Sequence, residues 1–334
     1  MTLGRIARIP GWITALALLA TTAAWGQAWR PDRVTEFITS SAAGGSNDQV
    51  ARAMQKILQD AKLITTPIAV ANKSGGNQTL AVVYLTQHPG DAHFLLLGNP
   101  TIFTNHIAGI TLLSHADMTP VSLLLVEHTL ITVKSDSPIK SMRDLIEQLR
   151  KDPESLAVGI VSRGGANHLA LSQALKSSGV DAKRVKAAVF KTNAESMTAL
   201  VGGHLQVVAS SVSSAMSQVK LGNARPLAIA AHQRLYLLPE VPTLREQGIE
   251  SWVANWRAMF GPKGMTPAQV SYWEDAFAKV AASDEWKRQL DFQGWNGQFL
   301  RSAEFAKYLE KEYAATRGIM ADMGIAKYQV TGDR

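Results

Sequence analysis

Short apolar runs bounded by polar or glycine-containing turns recur along the chain, at residues 34–39, 68–71, 94–97, 156–160, 187–190 and 205–209. Between them, apolar residues return with helical spacing. Short runs that alternate with helical stretches predict an α/β chain whose parallel sheets are covered by helices. After the first run, Val50, Met54, Ile57 and Leu58 fall at the i, i+4, i+7, i+8 positions of one buried stripe. Ser46 and Gln49 stand in capping-box register at the start of that helix. A second box, Thr266-Pro267-Ala268-Gln269, opens a helix with Pro267 at its first position, where the missing N–H costs nothing. Ser302 is expected to cap the last helix. No internal repeat or low-complexity segment interrupts this pattern. Residues 120–133 and 226–231 are the candidate strands that cross between two units.

Composition adds a compartment and a domain count. Arg5 and Arg8 precede an uncharged stretch at 12–25 that ends in small residues around Ala24, Gly26 and Ala28, the pattern of a signal peptide over residues 1–26. Its apolar run is about 14 residues, short of the roughly 20 that a spanning helix needs. A periplasmic, freely diffusing mature chain is therefore expected. The sequence contains no Cys, which excludes a lipid-anchored cysteine, disulfides and thiolate catalysis. A mature length of about 300 residues exceeds one ordinary domain. Two lobes are expected, with residues 29–129 and 231–334 in lobe 1 and residues 130–230 in lobe 2. The formal charge of +7 falls to +5 once Arg5 and Arg8 leave with the signal. The longest basic cluster, Lys183-Arg184-Val185-Lys186, has no interleaved aromatic residues, so no nucleic-acid partner is expected.

The candidate chemistry lies at the ends of the strands. Five of them run into small polar turns: Ser40-Ser41-Ala42-Ala43-Gly44-Gly45-Ser46-Asn47, Asn72-Lys73-Ser74-Gly75-Gly76-Asn77, Gly98-Asn99-Pro100-Thr101, Ser162-Arg163-Gly164-Gly165-Ala166-Asn167-His168 and Ser210-Ser211-Val212-Ser213. None of these turns contains an acidic residue. Helix starts offer unpaired N–H groups and a partial positive charge, and glycine lets a ligand come close to the backbone. Such turns suit a carboxylate. In open α/β sheets ligands settle beyond the carboxyl ends of the strands, where these turns lie. The candidate ligand-binding residues are Ser41, Ala43, Gly44, Gly45, Ser46, Asn77, Asn99, Gly164, Gly165, Ala166, Asn167, His168, Ser210 and Ser211. Asp48, in the first helical turn, is expected to order its loop rather than to touch an anion. Lys191 and Arg257 are possible cations for the ligand, and Trp256 a stacking surface or core residue.

No enzyme is expected. The chain lacks a G-x-S-x-G elbow, an H-E-x-x-H helix, a P-loop and a G-x-G-x-x-G fingerprint. His88, His93, His106 and His115 are scattered without a metal-binding arrangement, and no acid is placed to orient Ser162 and His168 as a nucleophile and base. No catalytic residue, metal or cofactor is expected. The rival reading is a secreted hydrolase.

At these same residues the chain resembles the periplasmic receptors of tripartite tricarboxylate transporters, the Bug-type receptors. Ala42-Ala43-Gly44-Gly45-Ser46-Asn47-Asp48 is similar to the family's first ligand loop, and Asn72-Lys73-Ser74-Gly75-Gly76-Asn77 to its second. His88-Pro89-Gly90-Asp91 with Leu95-Leu96-Leu97-Gly98, Val201 to Val207, Leu238-Pro239-Glu240-Val241-Pro242-Thr243-Leu244 and the stretch from Trp256 to Trp273 also resemble family segments. The first loop departs from the common form by having Ser40-Ser41 where a Pro-aromatic pair is usual, which implies a more polar wall. The resemblance implies a type II periplasmic-binding, venus-flytrap fold, with two α/β lobes joined by crossing strands. It implies a monomeric receptor for a small di- or tricarboxylate, aliphatic and citrate-like or aromatic like terephthalate. Its partner would be a membrane permease of a tripartite tricarboxylate-type transporter; a sensor kinase is the alternative. The Gly44 and Gly165 turns would hold the ligand's carboxylate.

Overall fold

The structure, a computed structural model, describes residues 29–251 and 253–327. The expected signal peptide lies outside the described residues. All six apolar runs form strands, within two residues of their expected bounds. A six-stranded sheet contains β1 (Thr35–Thr39), β2 (Ile68–Asn72), β3 (Phe94–Gly98), β4 (Met118–Glu127), β10 (Asn255–Pro262) and β11 (Asn296–Arg301), in the order β11-β4-β10-β3-β1-β2. A five-stranded sheet contains β5 (Thr129–Lys134), β6 (Ala157–Ile160), β7 (Lys186–Val189), β8 (Val207–Ser211) and β9 (Ala224–Ala230), in the order β7-β6-β8-β5-β9.

Both sheets are buried on two faces, which explains their near-continuous apolar strands. On one side of the first sheet, Phe37, Leu95 and Leu97 meet the Val50, Met54 and Leu58 stripe of α1 (Ser46–Asp60) and the Trp273 and Phe277 rings of α8 (Pro267–Ala282). On the other side, Ile38 and Leu96 meet α2 (Thr79–Thr86), α3 (Thr101–Ile107) and α10 (Ser302–Asp322). This second core does not stop at the lobe boundary. Met320 and Met323 carry it to Leu169, Ala170 and Leu171 of α5 (Ala166–Ser177) and on to Val158, Ile160 and Val207 in the second sheet. The far side of that sheet buries Leu130 and Val208 against Met197, Leu200 and Ala215, from α6 (Asn193–Val201) and α7 (Val212–Lys220).

The chain passes outward from β4 to β5 with only His128 between the two strands. The return differs from the expected crossing at 226–231. Residues up to Ala230 belong to β9, which pairs with β5 inside the second sheet. The chain returns through residues 231–254, where Thr243 bridges to Ile229 and Leu238 and Val241 pack into the second lobe's core. The Pro-containing segment is an edge strand and not a crossing; at the sheet edge the missing N–H of Pro226 is tolerated.

Two expected caps are corrected. Helix α1 has Gly45 at its N-cap, and Ser46 is its first helical residue, with its hydroxyl used elsewhere. Helix α10 has Arg301 at its N-cap, and Ser302 donates its hydroxyl to the Pro120 carbonyl at 2.8 Å. The Thr266–Gln269 box forms as expected.

Candidate ligand cleft

In the first sheet β1, β2 and β3 run parallel, and in the second β6 runs parallel to β7 and β8. Their carboxyl ends meet across the β4–β5 crossing. Ser162 on the turn after β6 donates to Asn77 Oδ1 on the turn after β2, at 3.1 Å. A β-carbon added to Gly164 would lie 3.9 Å from Thr104, in the middle of the first sheet's α3. The turns of the two lobes therefore face each other.

The two Gly-Gly turns are built alike, which their sequences show only in part. Gly44 and Gly164 have φ of +80° and +77°, the left-handed region that glycine enters without strain. The next residue of each pair, Gly45 or Gly165, is the N-cap, and its N–H donates back to Ala42 or Ser162 at 3.0 and 3.1 Å. The Gly44 N–H donates to Asp48 Oδ2 at 2.8 Å, and the Gly164 N–H to His168 Nδ1 at 3.0 Å. In both turns the side chain four residues on thus closes the loop.

These bonds alter the expected chemistry. The amides of Gly44, Gly45, Gly164 and Gly165 are spent on the turns themselves. The amides left without a protein acceptor are those of Ser46 and Asn47 on α1 and of Ala166, Asn167 and His168 on α5. They are the first-turn groups that a helix cannot pair internally. A carboxylate would meet them there, with the glycines shaping the approach.

The residues that close the turns differ in charge. Asp48 is 1 % exposed; burial opposes its ionisation, but Arg52, the Gly44 N–H and Asn72 outweigh that and hold its carboxyl below the usual range. It orders its loop, as expected. His168 has the reverse balance. Burial, aided by the positive charge of Arg163, pushes its imidazole down to about 4. Because Nδ1 accepts from Gly164, the neutral ring carries its proton on Nε2 and remains a donor.

The other candidate residues divide into wall and scaffold. Ala43 is exposed and Asn99 half-buried, with Asn99 Oδ1 accepting from the Thr101 N–H at 2.9 Å. The Ser41 hydroxyl accepts from the Asp48 N–H at 2.9 Å. Asn77 donates to Asn105 Oδ1 at 2.9 Å and accepts from Ser162, so it joins the lobes. In lobe 2, Asn167 Oδ1 accepts from Thr129, and its amide donates to Asn193, which in turn donates to Ser211. Ser210 and Ser211 are fully buried, and Ser210 donates to the carbonyl of its neighbour. Neither presents its hydroxyl to the cleft surface, a correction to their expected role.

Arg257 is 5 % exposed and pairs with Glu127, the last residue of β4, so it is not a free cation for a ligand. Trp256 is fully buried in the core. Glu127 also accepts from Ser46, Ser213 and the Trp295 indole. This cluster was missed in the sequence. Its only signal is an acid closing an otherwise apolar strand.

The sequence profile described as "Tripartite tricarboxylate transporter family receptor" matches residues 49–325. The chain belongs to this family. Among curated relatives, the UPF0065 protein in the gbd 5′ region of Cupriavidus necator is 28 % identical over 320 residues, covering 95 % of each chain. Protein BugT of Bordetella pertussis is 25 % identical over 244 residues, 71 % of this chain and 73 % of that one. Among solved structures, an R. palustris protein with adipate superposes at a TM-score of 0.81 with 25 % identity, over 89 % of this chain and 99 % of that one. The periplasmic binding protein BugD has the same fold, at a TM-score of 0.76 and 19 % identity over 89 % of this chain and 100 % of that one. The family and the two-lobed fold are those of solute-binding receptors.

The receptor has a second concavity, a cavity of about 450 Å³ lined by Val126, His128, residues 231–237, residues 294–296, Gln298, Tyr308, Lys311 and Glu312. It lies on the other side of the β4–β5 crossing from the Gly-Gly turns, because β11 and β9 occupy the sheet edges away from β1 and β6. Val126 and His128 line it while Glu127, between them, turns to Ser46 and Ser213. Among the described residues no group of acidic or histidine side chains is placed to hold a metal ion.

Proposed function

We propose that this receptor binds a small di- or tricarboxylate between its lobes in the periplasm and delivers it to the membrane permease of a tripartite tricarboxylate-type transporter. The observation that carries this reading is the pair of matched Gly-Gly turns, one after a strand in each sheet, which leave the first-turn amides of α1 and α5 without protein acceptors. We assign residues 29–129 and 255–327 to lobe 1 and residues 130–230 to lobe 2, with residues 231–254 as the return segment, which packs in part on lobe 2. The amides of Ser46 and Asn47 on one side, and of Ala166, Asn167 and His168 on the other, hold carboxylate oxygens, with His168 Nε2–H as a further donor. Ser41, Ala43, Gly44, Gly45, Asn99, Gly164 and Gly165 shape the walls, and Asn77 joins the lobes over the ligand. The relative solved with adipate supports a carboxylate as the ligand. No step of chemistry is assigned to the site.

A thermal-shift screen of carboxylic acids against the mature protein tests this. A ligand at 100 times its Kd stabilises by about 2.7 kcal/mol. Stabilisation by neutral sugars or cations alone would overturn the reading, as would steady turnover of an ester.

A further inference from the structure

The two Gly-Gly turns share their internal bonds but not their surroundings. A β-carbon added to Gly44 would stand in open space. The place that a β-carbon would take on Gly164 lies 3.9 Å from Met320 Cε of α10 and 3.9 Å from Thr104 Cβ of α3. Among the described residues no third atom outside its chain neighbours comes within 4 Å of that place. Both supports of this lobe 2 turn therefore come from lobe 1, and both side chains are buried. The start of α10 is anchored in lobe 1, where Ser302 bonds the Pro120 carbonyl and the Phe305 ring packs 5.3 Å from that of Phe260. Its far end reaches across, and Asp322 pairs with Lys176 of α5 at 3.2 Å. The chain then returns to α3, where the Lys327 N–H donates to the Ile107 carbonyl at 2.9 Å. Met320 thus occupies the seam between the lobes, against the turn that opens α5.

We propose that Met320 is a positioning residue: its thioether end, with Thr104, seats the Gly164 turn on lobe 1 and so fixes the separation between the first-turn amides of α5 and those of α1. The length of acid that the receptor prefers then depends on a side chain buried in the seam. Methionine suits this place because its unbranched, polarisable end fills an irregular gap. Packed side chains transmit displacement, since an interior at native density leaves no slack to absorb it. The turn also moves as one piece with the start of α5. The Gly164 N–H is bonded to His168 Nδ1, and the Gly165 N–H to the Ser162 carbonyl. A binding group keeps its full hydrogen bond only when it is held within about 0.5 Å of its place. Removing Cγ, Sδ and Cε of Met320 withdraws one of the two supports that hold it there. This inference rests on the carboxylate reading.

The test is titration calorimetry on the full mature receptor with unbranched α,ω-diacids from succinate to pimelate, and with citrate and homocitrate as the tricarboxylate pair. The wild type should prefer one length. Met320→Ala should weaken the preferred acid by about tenfold, the worth of one misplaced charge-assisted bond. Acids one carbon longer or shorter should change by less than about threefold, so that the profile flattens or its maximum moves. Met320→Leu, of similar volume, should return the wild-type profile. If Met320→Ala does not fold, Met320→Val, which withdraws the end of the side chain, is read by the same ratios. Equal weakening of every acid by the variant overturns the inference, because that is the result for a side chain that only supports the fold. An unchanged profile in the variant overturns it too, as does equal affinity of the wild type across all lengths. So does a Met320→Leu profile that follows Met320→Ala. A wild type that binds no carboxylic acid at all removes the functional reading beneath it, a distinct outcome.

Discussion

Ser46 and Ser213, the first residue of α1 in lobe 1 and the second of α7 in lobe 2, donate their hydroxyls to opposite oxygens of the same carboxylate, Glu127, at 3.2 and 3.0 Å. The acid stands at the end of β4, where the chain crosses between the lobes. Its charge is balanced by the buried Arg257, which also bonds the Ser46 hydroxyl. A single residue at the crossing therefore registers the helix starts of both lobes at once.

Removing that charge should be costly. Glu127→Gln leaves the Arg257 guanidinium buried without its counter-ion, a loss of about 3–5 kcal/mol in comparable buried pairs. Ser213→Ala removes one hydrogen bond and should cost about 0.5–1.5 kcal/mol. The double variant Glu127→Leu/Arg257→Met should recover much of the stability lost by Glu127→Gln. Urea denaturation of the three proteins decides this; equal costs for Glu127→Gln and Ser213→Ala would show that Arg257 is hydrated.

The strands were legible because both sheets are covered on both faces, so each strand appears as an apolar run flanked by turns. Helix α1 was legible from its stripe, but its cap was not. Ser46 occupies a typical cap position in sequence, yet the positive φ of Gly44 shifts the turn by one residue and leaves the cap to Gly45. The Gly-Gly turns were legible as small and acid-free. Their shared internal bonds were not, because Asp48 and His168 fill the same role with unlike side chains. The pairing of Glu127 with Arg257 spans 130 residues and follows from strand order, to which local pattern is blind.

The glycines of the first turn should separate strain from contact. Gly44 has open space around an added β-carbon but a φ of +80°. Gly44→Ala should therefore cost about 1 kcal/mol of stability, with little direct effect on a ligand. Gly45 has an ordinary φ of −74°, but its added β-carbon would lie 2.8 Å from that of Ser41. Displacing Ser41 breaks its bond to the Asp48 N–H and disturbs the first-turn amides beside it. Gly45→Ala should weaken carboxylate binding by about tenfold, the worth of one charge-assisted bond. Calorimetry and melting curves on both variants check this; unchanged affinity in Gly45→Ala would remove the turn from the site.

Closure should be readable at the Ser162–Asn77 bond. The two side chains come from different lobes, so Ser162→Ala removes a direct bond between them. The expected effect is a faster ligand off-rate, by about three- to tenfold, with little change in on-rate. Stopped-flow binding measures both. Small-angle scattering of the wild type should show compaction on ligand addition, and identical profiles would count against a hinge motion.

His168 gives the protein a pH dependence whose sign is fixed by its burial. Its folded-state pKa is about 4, against an ordinary value of 6.5. Between those values the unfolded chain holds the proton and the folded one does not, so stability falls as pH falls. The contribution is complete above about pH 6.5 and lost by about pH 4, on the order of 3 kcal/mol in all. Protonation at Nδ1 would also turn the acceptor of the Gly164 N–H into a donor and open the turn. His168→Gln keeps an acceptor on that side chain without a titrating group. Its stability should vary less than that of the wild type between pH 6.5 and 4. A bound carboxylate near Nε2–H favours the imidazolium and raises the ligand-bound pKa. The wild-type complex should then lose less stability than the free protein over the same interval. Melting temperatures of both proteins across this window, with and without ligand, test the assignment; parallel curves for wild type and variant would place His168 in an environment where it stays protonated.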